Sequence, residues 1–259
     1  MTATIHATSS HKIYLLSDFH LGAPNYDASL EREKKVVAFL QSIEDSAAAI
    51  FIVGDIFDFW FEYDHVVPKG FVRLLGQIAK LTDKGIPVHV FTGNHDLWMF
   101  TYFQKELGVQ LHSEPIEREF NGKRFFIGHG DGLGPGDYNY KLLKKIFTSK
   151  VCQWLFARIH PNLGVGLAHA WSQKSRIVHD KKEQFLGEEN EWLAIYAKEK
   201  LKQSHYDYFI FGHRHIPLNI DLGSNSRYIN LGEWIHSNTY ACFDGAEISL
   251  LTFNENEKA

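Results

Sequence analysis

The chain has 259 residues, 44% hydrophobic and 14% aromatic, enough to build a real core in one α/β domain or one domain with a sizeable insertion. Its two cysteines, Cys152 and Cys242, form no CxxC pair and exclude a disulfide framework; the polar stretch Met1 to Lys12 carries no apolar signal region, and no apolar run approaches the ~20 residues of a spanning helix. The formal charge of −4 is unevenly spread: from Tyr138 to Lys182 nine basic residues face one acid, Asp180, so a local +8 sits in a chain that is −12 elsewhere, and this island suggests an anionic partner such as phosphate, nucleic acid or lipid headgroups.

Ile13 to Leu16 reads as a buried strand ending in Ser-Asp. Ala28 to Ile43 reads as a helix with Leu30, Val36, Val37, Leu40 and Ile43 on one face. Ala49 to Val53 is the next strand, Val72 to Leu81 a helix and Val88 to Thr92 a third strand. This βαβαβ rhythm predicts a parallel sheet with ligands gathered at the carboxyl ends of its strands. Ile116 to Phe120 and Arg124 to Ile127 form a predicted hairpin about Asn121-Gly122. Leu143, Phe147, Val151, Leu155 and Ile159 then recur at every fourth residue, a broad apolar helical face closed by Pro161. Most of that face is expected to be ordinary helix packing, but its union with the basic island predicts a helical cap over residues 138–187, inserted between core segments 1–137 and 188–259. Glu188 to Gln203 reads as a further helix, and strands follow at Asp207 to Phe211, Leu218 to Leu222, Tyr228 to Leu231, Thr239 to Phe243 and Glu247 to Phe253. A polar tail ends the chain.

Five motifs lie at predicted strand ends: Asp18-Phe19-His20, Gly54-Asp55-Ile56-Phe57-Asp58, Gly93-Asn94-His95-Asp96, Gly128-His129-Gly130-Asp131 and Gly212-His213-Arg214-His215. Asp18 and His20 are two apart, so in an extended segment both side chains point the same way; His213 and His215 repeat the spacing. Asp55 can bridge two ions. One set of ligands is Asp18, His20, Asp55 and His215, and the other is Asp55, Asn94, His129 and His213. Mixed nitrogen and oxygen donors without thiolate favour Mn²⁺, Fe or Zn²⁺ over Ca²⁺. Two such ions about 3.5–4 Å apart can clamp a phosphoryl group and supply hydroxide near neutral pH. His95 is placed to protonate the leaving oxygen, with Asp96 as the carboxylate that orients it. Taken singly the motifs have plainer readings: a turn with a surface histidine for Asp18-Phe19-His20, and a cap for a helix beginning near Leu97 for Asn94. Asp58 reads as support for the loop after Asp55, and Asp131 as a partner behind His129.

Together the motifs resemble the calcineurin-like metallophosphoesterase superfamily, which implies a four-layer αββα sandwich with its site at one edge. More narrowly, the chain resembles the UDP-2,3-diacylglucosamine pyrophosphatases of lipid A biosynthesis. The residues behind that are Ser17-Asp18-Phe19-His20-Leu21, Gly54-Asp55-Ile56-Phe57-Asp58, His129-Gly130-Asp131-Gly132-Leu133 followed by Asp137 and Tyr140, the helical insertion, and Leu231-Gly232-Glu233-Trp234. The resemblance implies hydrolysis of the substrate's pyrophosphate to UMP and 2,3-diacylglucosamine 1-phosphate, two divalent metal ions (Mn²⁺ foremost), acyl chains held between core and cap, and work at the cytoplasmic face of the inner membrane of a Gram-negative bacterium. Its partners would be the lipid-linked nucleotide and the membrane surface, with no nucleic acid and no obligate protein. It further implies substrate contacts by Asn94, Asp137 and His213, and, through Trp171-Ser172-Gln173-Lys174-Ser175-Arg176, by Ser172 and Arg176. The best-known members carry Arg after the motif Asn; this chain has His95, as in the wider superfamily. The alternative is a metallophosphodiesterase or phosphatase acting on nucleotides or other phosphoesters. A silent scaffold would be expected to have lost ligands, and a nuclease fits the apolar cap less well.

Overall fold

A computed structural model of the chain describes residues 5–136, 138–168, 172, 184–185 and 187–254. Strand β1 (Lys12–Leu16) and strand β2 (Ala47–Val53) are apolar on both faces because both faces are covered. Ile13, Leu15, Ala49, Phe51 and Val53 turn inward, while Tyr14, Leu16, Ile50 and Ile52 turn outward onto helices. Those helices are α1 (Tyr26–Ser42), whose Asn25 side chain caps Ala28 N–H at 3.0 Å, α2 (Val72–Asp83) and α3 (Tyr102–Leu107). With β3 (Val88–Phe91) and β4 (Gln110–His112), the first two strands form a parallel run. The second half of the chain adds β10 (Thr239–Phe243) and β11 (Ile248–Thr252), giving a six-stranded sheet in the order β11-β10-β1-β2-β3-β4.

The hairpin β5 (Ile116–Phe120) and β6 (Lys123–Ile127) opens the second sheet. It is completed by β7 (Tyr208–Phe211), β8 (Pro217–Gly223) and β9 (Ser226–Leu231), in the order β5-β6-β7-β9-β8. Phe125, Ile127, Ile210, Ile229 and Leu231 face the first sheet, and Phe126, Phe209, Phe211 and Tyr228 face helix α7 (Trp192–Leu201). The layers are therefore helix, sheet, sheet, helix, as the family resemblance implies.

Between β6 and α7 lie α4 (Tyr138–Thr148), α5 (Lys150–Phe156) and a helix over residues 161–168, α6. The periodic stretch thus breaks at Ser149, which is extended, and Pro161 opens a helix, where its missing N–H costs nothing. Glu188 to Gln203 divides into a 3-10 turn (Glu188–Asn190) and α7. No helix begins at Leu97: that residue is in a turn and Trp98 bridges Phe61, so Asn94 caps nothing there. Phe147 and Phe156 pack on Phe59, Phe61 and Trp98, and Trp98 Nε1 donates to the Phe147 carbonyl at 2.7 Å, which ties these helices to the core.

Candidate metal centre

The motifs gather where the carboxyl ends of β1, β2 and β3 in one sheet meet those of β6 and β7 in the other. Hydrogen bonds cross the gap: among them, His213 N–H donates to Asp18 Oδ2 at 3.0 Å, and His129 Nδ1–H donates to the Val53 carbonyl at 2.8 Å. Close approach needs glycine. A Cβ on Gly212 would lie 2.1 Å from Ser17 Oγ, and one on Gly93 would lie 2.2 Å from Asp55 Oδ1.

The local backbone is not the extended segment that the spacing of two suggests. Asp18, His20, Asp55, His213 and His215 all have positive φ, from 44° to 68°. The side chains converge through left-handed turns rather than through strand alternation. Such conformations cost on the order of 1–3 kcal/mol each for non-glycine residues and persist only where surroundings impose them. The surroundings are visible: Arg32 Nη2 donates to the carbonyls of His20 and Ala23, Trp234 N–H to that of Asp18, and Asn230 Nδ2 to that of Gly212.

Asp18, His20, Asp55 and His215 place ligand atoms within 4.8 Å of one another, and so do Asp55, His129 and His213. Asn94 Oδ1 joins the second group, 3.2 Å from His129 Nε2 and 2.8 Å from His213 Nδ1. Each carboxylate has one oxygen occupied. Asp18 Oδ2 accepts from Ser17 Oγ and His213 N, and Asp55 Oδ1 accepts from His95 N at 2.9 Å. The other oxygens, Asp18 Oδ1 and Asp55 Oδ2, are buried with no hydrogen-bond donor among the described residues. Imidazoles point at both: His215 Nε2 is 3.2 Å and His20 Nε2 3.6 Å from Asp18 Oδ1, and His129 Nε2 is 3.4 Å from Asp55 Oδ2. His20 Nε2 and His215 Nε2 stand 2.9 Å apart, a contact that needs a proton or cation between them. The single oxygen Asp55 Oδ2 faces both groups, since His20 Nε2 is 3.8 Å from it.

The field favours cations. Burial pushes Asp18 up, but the imidazoles of His20, His215 and His129 hold it well below the ordinary carboxylate range. Asp55 is likewise lowered against its burial, chiefly by His129 and His95. Burial would lower His129, yet Asp55, Asp18 and Asp131 raise it to about 10, whereas burial and the charge on His129 push His213 down to about 3. A pocket that keeps two carboxylates ionised and draws positive charge onto an imidazole suits divalent ions, and these donors fit two.

His95 stands beside the first group, its ring centroid 4.9 Å from that of His20. Its partner is not Asp96. Asp96 is fully buried and accepts from the backbone N–H of Gly93, Ile56 and Phe57, so it shapes the loops that carry Asp55 and Asn94. Asp58 takes the place expected for Asp96: His95 Nδ1 lies 3.0 Å from its carbonyl and 3.8 Å from its carboxylate. Asp131 does not support His129 through a hydrogen bond, since the Val53 carbonyl does; Asp131 instead accepts from Tyr140 Oη and pairs with Lys144 at 2.7 Å, pinning α4 beside the site. Ser172 is buried and donates to Asp58 Oδ1 at 2.7 Å. Asp137 and Arg176 lie outside the described residues.

Sequence reasoning missed a buried network behind the double-histidine turn. Arg214, between the two histidines, pairs with Glu191 at 3.1 Å and lies over the Trp192 ring. Tyr228 Oη donates to the same carboxylate at 3.3 Å. Glu191 and Arg214 carry no spacing signal, because 22 intervening residues separate them and only the fold joins them.

Residues 11–217 match the model of the calcineurin-like phosphoesterase family. The chain is 39% identical over 259 residues to a protein of Porphyromonas gingivalis named UDP-2,3-diacylglucosamine hydrolase, covering 95% of this chain and 99% of that one. It is 29% identical over 226 residues to a protein of the same name from Aeromonas hydrophila, covering 85% and 89%. Among solved structures it is similar to a zinc-bound Vps29 from Entamoeba histolytica, with a TM-score of 0.45 and 13% identity, covering 92% and 89%.

Proposed function

This chain belongs to the calcineurin-like phosphoesterase family, and from that premise we propose that it hydrolyses the pyrophosphate of UDP-2,3-diacylglucosamine to UMP and 2,3-diacylglucosamine 1-phosphate. The observation that carries the reading is the pair of ligand groups sharing Asp55, in a chain similar over nearly its whole length to proteins named for that substrate. Asp18, His20, Asp55 and His215 would hold one divalent ion, and Asp55, Asn94, His129 and His213 the other. Mn²⁺ is the proposed metal, and the donor set also accepts Fe or Zn²⁺. When bound, such ions neutralise phosphoryl charge and lower the pKa of water.

The chain's own residues do the rest. The Asp58 carbonyl can only accept, so His95 Nδ1 carries the hydrogen and Nε2 is the nitrogen that can hold a proton for the leaving oxygen. Asn94 and His213, at the rim of the second group, are proposed to contact the phosphoryl oxygens as well. The exposed apolar side chains of α4, α5 and α6 support a cap that receives acyl chains and touches the cytoplasmic face of the inner membrane. No helix among the described residues is long and apolar enough to cross a membrane.

Phosphorus NMR of the Mn²⁺-loaded protein tests this, with UDP-2,3-diacylglucosamine as substrate and UDP-N-acetylglucosamine as control. UMP and the lipid 1-phosphate are expected from the first alone. Turnover of a simple phosphodiester without either UDP-sugar would keep the metal centre and reject the substrate.

A further inference from the structure

One cap side chain reaches into the core beside the reacting groups. Ser172 is 5% exposed, and its hydroxyl sits between two residues of the catalytic edge. It lies 2.7 Å from Asp58 Oδ1 and 3.2 Å from His95 Nδ1. The donors and acceptors resolve in one way. A carboxylate only accepts, so the Ser172 hydrogen goes to Asp58 Oδ1. The serine oxygen then accepts from His95 Nδ1–H, which also donates to the Asp58 carbonyl at 3.0 Å. Both contacts demand the same imidazole tautomer, with hydrogen on Nδ1 and Nε2 turned to the metal groups.

We propose that Ser172 is a positioning residue: the cap supplies a hydroxyl that locks the Asp58–His95 pair, fixing the tautomer and ring plane of His95. This rests on His95 acting as the acid in the proposed hydrolysis. It differs from the substrate contact that resemblance implies for Ser172, because the hydroxyl is buried and both its contacts among the described residues are to the core. The consequence is that full activity requires the cap to be seated. The seat itself is apolar, Phe147 and Phe156 against Trp98 and Phe61.

The test is a double-mutant cycle on the metal-loaded full chain, with UDP-2,3-diacylglucosamine and an aryl phosphodiester as parallel substrates. Ser172→Ala is expected to lower kcat about 10–100-fold, the usual cost of losing a partner behind a working side chain, with KM and metal content unchanged. In a His95→Ala background the same change is expected to cost nothing further. Ser172→Thr, which keeps the hydroxyl, should restore most of the rate. Nitrogen NMR of His95 in Zn²⁺-loaded protein should show the Nδ1–H tautomer, and Ser172→Ala should lose that signature. A rise in KM at constant kcat, or an equal loss in the His95→Ala background, would overturn the proposal. If only the aryl phosphodiester is turned over, the substrate reading fails while the cycle on that diester still decides the role of Ser172.

Discussion

Asp55 divides its work between its oxygens: one holds the His95 N–H and the other, buried and without a hydrogen-bond donor among the described residues, faces both ligand groups. Asp55→Asn replaces the shared anion by a neutral amide, so both ions are expected to weaken together. Metal analysis should find less than one ion per chain and kcat/KM should fall by more than ~10²-fold, a ligand costing more than the residues behind it; a variant with two ions and wild-type rate would refute the shared role. His95→Ala is a different kind of loss. Both ions should remain and kcat should drop ~10²–10⁴-fold, whereas loss of metal would make His95 structural. At this scale the sequence was informative about residue types, because carboxylate and imidazole at a spacing of two is a chemical signal. It was silent on conformation. The left-handed turns at Asp18, His20 and His213 are held by Trp234, Arg32 and Asn230, none of which belongs to the motif that it supports. Adjacency also misled: Asp96 follows His95 directly but caps backbone amides, and Asp58, 37 residues earlier, is the partner.

Most elements were legible, the four-residue strands β3 and β7 included, but α3 and β4 were not. Helix α3 has six residues and β4 has three, too few to show a period, and both are held by neighbours: Thr82 Oγ1 donates to the Leu107 carbonyl, and β4 pairs with β3. That edge carries a pH response. His89 of β3 stacks on Phe51 with centroids 4.3 Å apart, and its Nδ1 meets His112 Nε2 of β4 at 3.0 Å. Burial, then the charges of His112 and Arg118, push His89 down to about 3, and burial and Arg118 push His112 down to about 4. An unfolded histidine titrates near 6.5. Above that pH both states are neutral and the pair contributes fully; below it the unfolded chain takes up protons that the folded chain refuses, and stability falls until the pH passes the folded values. The loss is on the order of 1 kcal/mol per pH unit for the well-buried His89, and smaller for the more exposed His112. Urea unfolding at pH 7 and pH 5 should show a shallower decline for His89→Gln/His112→Gln than for the parent protein, and an identical decline would discard this source. The Glu191–Arg214 pair joins α7 to the turn that carries His213 and His215, so Glu191→Gln leaves a buried guanidinium without its anion. Metal affinity is expected to fall about 10–100-fold; calorimetric titration with Mn²⁺ giving the parent affinity would reduce the pair to a folding role.

The molecule as a whole sets a rigid edge, where two sheets are fused by their core, against helices with a divided surface. Phe147 and Phe156 are committed to the core, but Leu142, Ile146, Val151, Trp154, Leu155, Leu163 and Leu167 remain exposed. Ordinary packing, the plainer expectation for the apolar face, therefore covers only part of it: Val151 and Leu155 belong to the same four-residue period as Phe147 and are 66% and 54% exposed. The basic island is divided too. Lys144 is committed to Asp131, Lys141 donates to the Gly134 carbonyl, and Arg158 lies over the Trp154 ring. An apolar surface of this extent beside a phosphoester centre suits a substrate with a charged head and hydrocarbon tails. Covering one large apolar side chain with hydrocarbon contributes about 1.5–3 kcal/mol, which is roughly tenfold or more in affinity. Leu155→Glu and Leu163→Glu are at exposed positions, so the melting temperature should be nearly unchanged. Each is expected to raise KM for the diacylated substrate about tenfold relative to KM for an aryl phosphodiester, and to weaken co-sedimentation with anionic vesicles. If the two substrates instead respond alike, the exposed face serves some contact other than the acyl chains, and the metal centre acts on its phosphoester without help from the apolar surface of α4, α5 and α6.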